Sequence, residues 1–109
     1  MTHTEALALI HAEALGESGL VRAARMGEDL DPARIARLVS AIQTAAESLR
    51  GELRLDRDLA ASLHILGFEV LRQAEGWAAH CNQKLPKAVF DSLINLESAV
   101  EAFFYDTAK

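Results

Sequence analysis

Leu59, Leu63, Leu66, Val70, Ala74, Trp77 and Cys81 follow one another at intervals of three and four residues, with no proline among them. An α-helix turns about 100° per residue, so this spacing lines all seven side chains along one face; a strand would scatter them over two. The run commits the middle of the chain to a helix that Asp56 or Asp58 caps and that reaches about Asn82. Gly67 and Gly76 interrupt it, and each weakens a helix by up to about 1 kcal/mol relative to alanine. Close approach of a second helix would account for them, as would a kink.

The remaining segments follow the same logic. Thr2 and Glu5 form a T-x-x-E capping box, and the helix it starts stops near Leu15 at Gly16. Ser18 is a candidate cap for a second short helix that ends at Gly27. Asp31-Pro32 is a helix start, and Ile35, Leu38, Val39, Ile42, Ala45, Ala46 and Leu49 then fall on one stripe until Gly51. The segment ELRL reads as a connector, with a short strand as the other option. Pro86 starts the last helix, whose inner stripe is Val89, Leu93, Leu96, Val100, Phe103 and Phe104, widened by Phe90 and Ile94. The expected fold is all-α: one domain over residues 1–109, a small bundle of four to five helices that short connectors force to run antiparallel.

Composition limits what such a bundle can do. Half of the 109 residues are hydrophobic and a quarter are charged, which is globular rather than disordered. The net charge is −5. Arg22, Arg25, Arg34 and Arg37 are interleaved with Glu28, Asp29 and Asp31, giving a mixed surface and not the concentrated basic face that nucleic acid needs. The single cysteine, Cys81, permits neither an intrachain disulfide nor a cysteine-based metal framework. The opening MTHTEALALI has no basic region of the kind that precedes a signal peptide, and no apolar run approaches the length of a membrane span. A soluble, cytoplasmic protein without membrane contact is expected.

Chemistry finds few footholds. No Glu-x-x-His occurs, none of His3, His11, His64 and His80 are paired at i, i+4, and His80 and Cys81 diverge by about 100° on a helix. Cys81 on the seam reads as a buried, inert thiol. Trp77 reads as core, with a small-ligand pocket lined by Trp77, Phe90 and Ile94 as the alternative. The aromatic run Phe103-Phe104-Tyr105 is expected to close the base of the bundle.

Behind the seam of the long helix lie Ile65, Phe68 and Leu71, where a one-sided helix should be polar. Either the short N-terminal helices, with Leu7, Ile10, Leu20 and Val21, cover this face, or another chain does. His64 shares it, about 120° from the middle of the seam. His64-Ile65-Leu66-Gly67-Phe68 resembles the motif of histidine-phosphotransfer domains, in which a histidine, any residue, leucine, lysine and glycine follow on an exposed helix face. Here the lysine is missing, the glycine comes one position early, and Phe68 adds bulk where a receiver domain docks. That resemblance, confined to this stretch, implies phosphoryl acceptance by His64.

The leading expectation is a non-enzymatic helical protein, without cofactor or metal, that acts through protein–protein association as a homodimer, regulator, inhibitor or adaptor. Its partner-binding residues are Ile65, Phe68, Leu71 and His64. The alternatives are a phosphorelay protein using His64 and a small-ligand-binding bundle.

Overall fold

The structure is a computed structural model that describes residues 1–107. Among the described residues the chain forms six helices and no strand: α1 (His3–Leu15), α2 (Leu20–Arg25), α3 (Pro32–Leu49), α4 (Arg57–Phe68), α5 (Val70–His80) and α6 (Lys87–Thr107). Local chemistry sets most of their ends. The Thr2 hydroxyl accepts from the Glu5 N–H and the Glu5 carboxylate accepts from the Thr2 N–H, each at 3.1 Å, completing the capping box of α1. Asp31 caps α3 by accepting from the Ala33 N–H, with Pro32 in the first turn, and Asp56 caps α4 by accepting from the Leu59 N–H. Ser18 makes no cap for α2; Gly19 occupies that position without a side-chain bond.

Two helices stop in the same way. After α2, the Glu28 N–H donates to the Ala23 carbonyl and the Gly27 N–H to the Ala24 carbonyl; after α5, Gln83 reaches Ala78 and Asn82 reaches Ala79. Both pairings are Schellman motifs, which need one residue in the left-handed region, here Gly27 (φ 71°) and Asn82 (φ 58°). Gly27 has a second reason to lack a side chain: a Cβ there would sit 2.1 Å from the Trp77 indole.

The long helix expected from Asp56 to Asn82 is broken into α4 and α5 at Glu69 (φ −102°, ψ −37°). The break lies two residues beyond Gly67, which is not itself the kink. Gly67 is a point of close approach, since a Cβ there would come within 2.8 Å of a Val100 methyl on α6. Gly76 has no neighbour within 4 Å of its would-be Cβ.

Four helices close a ring around the core: α1 packs on α3, α3 on α6, α6 on α4, and α4 back on α1. Inside it lie Ile10, Ile35, Leu38, Ile42, Leu63, Leu66, Leu93, Leu96 and Phe103, each almost wholly buried. At one end α2 packs on α5, which also touches α6. The seam of α4 and α5 is buried from Leu59 to Ala74 and then surfaces: Trp77 is 45% exposed and Cys81, beyond the end of α5, is exposed. The expectation of an inert buried thiol is therefore corrected. Phe90 and Ile94 lie on the outer flank of α6 and do not widen its inner stripe.

Candidate functional site

The four residues singled out behind the seam part company in the structure. Going round α4, Ile65 turns toward the end of α1 and the start of α2, where it shares a groove with Ala14, Leu15 and Val21. Leu71 is half-buried against the core. Phe68 stands 62% exposed, and its ring lies 4.7 Å from the exposed His64 imidazole at a tilt of 34°. Helix geometry explains the division. The α1 side of α4 carries Ser62 and Ile65, and the α6 side carries Gly67. His64 and Phe68 project between these two packed sides, about 60° and 100° from Gly67 respectively.

The other aromatic residues are spread out. Trp77 lies over Gly27 and lines a groove of about 430 Å³ with Leu30, Lys84, Leu85 and Val89. Phe90 borders a different groove, with Glu75, Ala78 and Lys87. Of the trio Trp77, Phe90 and Ile94, the first two thus border different grooves, and Ile94 lines neither of these. Phe103 is buried and meets Phe104 edge-on at 5.5 Å, so the aromatic run does close part of the core, while Tyr105 is 69% exposed. His80 stacks loosely on Trp77 at 6.0 Å. Among the described residues no group of three or more His, Cys, Asp or Glu could hold a metal ion.

Sequence reasoning missed two polar features. The first is an ion pair: Arg34 Nε donates to Glu13 Oε2 at 2.7 Å and Nη2 to Glu13 Oε1 at 2.5 Å, and the same Nη2 also donates to the Ser18 carbonyl. The pair joins α1, the α1–α2 turn and α3. The Glu13 hydrogen bonds push the Arg34 pKa above its ordinary value, against a smaller opposing effect of burial, so the guanidinium stays charged. The signal was present, because Glu13 sits in the stripe Ala6, Ile10, Glu13, Ala14 that α1 buries. A carboxylate on a buried stripe requires a cation.

The second is Ser62, 1% exposed, whose hydroxyl finds no hydrogen-bond partner among the described residues. It lines a cleft of about 360 Å³ bounded by α1, the end of α3, the connector and the first turns of α4. Leu7, Ile10, Leu49, Leu55 and Leu59 make the cleft apolar, and His11, Arg54, Asp56 and Asp58 stand around it.

Comparison with known proteins finds no matching family model, no matching curated protein and no matching solved structure.

Proposed function

We propose that the chain is a non-enzymatic helical protein that acts by associating with protein, in the first place with a second copy of itself, through the face that His64 and Phe68 present on α4. The observation that carries this reading is the 62% exposure of Phe68 at the C-terminal end of α4, with His64 stacked on it. Full burial of a phenylalanine is worth about 1.5–3 kcal/mol, which a partner chain would recover and water does not. Aromatic residues are also enriched at the centres of protein interfaces.

The reading extends to α6 if α4–α5 and α6 run antiparallel within a bundle of four principal helices. Two points of proximity support that direction. Gly67 abuts Val100, while Ala78, further along α5, shares a groove with Phe90, earlier in α6. Phe104, Ile94 and Phe90, each 36–39% exposed on one flank of α6, would then prolong the Phe68 face. Among the described residues no helix is long and apolar enough to cross a membrane. Within this proposal the protein works in the cytoplasm.

Light scattering behind a sizing column, over a wide concentration range, tests the reading. A dimer that Phe68→Glu converts to a monomer of unchanged helicity supports it. A monomer at every concentration rejects self-association. A second reading, favoured by the exposed imidazole midway along α4, is phosphoryl acceptance by His64. Transfer from a phosphorylated receiver domain, lost in His64→Gln, would support it, and absence of transfer rejects it.

A further inference from the structure

The Ser62 hydroxyl is out of place on the packing of its own helix. It neighbours Leu59, Leu63 and Leu66 on a buried side of α4, where alanine would pack with no polar group to satisfy. Buried hydroxyls are hydrogen-bonded as a rule, because removal from water without a new partner is unfavourable. Ser62 has no partner among the described residues, yet it lines a cleft. A single water is a poor tenant for an apolar wall, since an ordered buried water typically needs two to four polar partners. What suits the place is a molecule whose carbon skeleton lies against the leucines and whose one polar atom meets the serine.

The surroundings narrow the chemistry. Arg54, Asp56 and Asp58 all line the cleft, two carboxylates to one guanidinium, and the Asp56 carboxylate is already engaged with the Leu59 N–H. Negative charge at this end of α4 disfavours an anion. A single neutral hydroxyl at depth cannot support a buried ion of either sign. The volume, about 360 Å³, lies at the lower end of the range for small-molecule sites. We infer that this cleft is a binding site for a small, uncharged, mainly apolar molecule bearing one hydroxyl or carbonyl, which hydrogen-bonds Ser62. The site is independent of the association face, because Ser62 and Phe68 are about 120° apart around α4.

The test uses p-cresol and toluene, which differ by one hydroxyl, with benzoate as the charged control. Each is titrated into the full chain while backbone amide shifts are followed. The expected result is saturable shifts at Ala8, Leu55 and Ser62, with p-cresol about fivefold tighter than toluene, the size of one net hydrogen bond. Benzoate should bind more weakly than either. In Ser62→Ala the preference for p-cresol over toluene should vanish while toluene binding persists. Ala8→Trp, at an exposed position that lines the cleft, should block both ligands and leave the fold intact. The inference is overturned if no saturable shifts arise at these residues, if they arise at the Trp77 groove instead, or if Ser62→Ala keeps the preference.

Discussion

The Glu13–Arg34 pair shows how much one side chain can depend on a partner 21 residues away. Arg34→Ala would leave a buried carboxylate without its cation. Such losses cost about 3–5 kcal/mol in full burial, and the 37% exposure of the Arg34 side chain puts this one nearer 2–3 kcal/mol, measurable as a lower urea midpoint. Arg34→Lys should recover only part of this, since an ammonium cannot make the two-pronged contact. Replacing both residues by methionine should restore most of the stability. At the start of α1, the Thr2 N–H donates to the Glu5 carboxylate and holds its pKa below the ordinary value. A depressed pKa means that the capping contribution is fully present above the unfolded-state value and lost as pH falls through the folded one. The protection of first-turn amides of α1, taken relative to their intrinsic exchange rate at each pH, should therefore fall on acidification through that window, and Glu5→Gln should abolish this fall. Half of the ion pair was legible: Glu13 on the buried stripe demanded a cation. Which arginine would answer was not, because that depends on how α3 crosses α1.

Among elements, the glycines of α4 and α5 make opposite predictions. Gly67→Ala drives a Cβ to 2.8 Å from the stiff, buried Val100, and overpacking of this kind costs about 1–3 kcal/mol, more than the gain of up to about 1 kcal/mol in helix propensity. Gly76→Ala meets nothing within 4 Å and should stabilise by up to about 1 kcal/mol. Thermal melts of the two variants should move in opposite directions. The helix ends were readable because caps are local: Thr2, Asp31, Asp56 and Gly27 act within a few residues of themselves. The break at Glu69 was legible only in part: a kink was one of two options at Gly67, two residues earlier, and nothing at Glu69 itself marks the position. The seam also read too far. Trp77 and Cys81 keep the right spacing, but α2 and the turn at Gly27 cover only part of Trp77, and nothing in a periodicity says where the covering neighbour ends. Ser62 was passed over for the same reason, as its orphaned hydroxyl becomes visible only once α1 and α4 are set side by side.

For the whole molecule, the all-helical class followed from spacing, composition and scarce proline, whereas the order of helices around the ring did not. That order decides the fate of the apolar residues behind the seam. With α1 on one side of α4 and α6 on the other, Ile65 is sheltered and Phe68 is not. At protein concentrations low enough to keep the parent monomeric, Phe68→Glu should thus leave the unfolding transition within about 0.5 kcal/mol of the parent, while Ile65→Glu, which sets a charge against Ala14 and Val21, should cost roughly 2 kcal/mol or more. Parallel denaturation curves check both.

The ring also closes late. α6 touches α3, α4 and α5 and supplies Val89, Leu93, Leu96, Val100 and Phe103 to the core, yet it is the last of these helices to be translated. At about 5–20 residues per second, its 21 residues take about 1–4 s to make. For that interval the nascent chain holds the leucine faces of α3 and α4 with the cover that α6 gives them still unmade. Its exposure to chaperones and proteases is then a matter of ribosome speed, and slow codons within α6 would lengthen it.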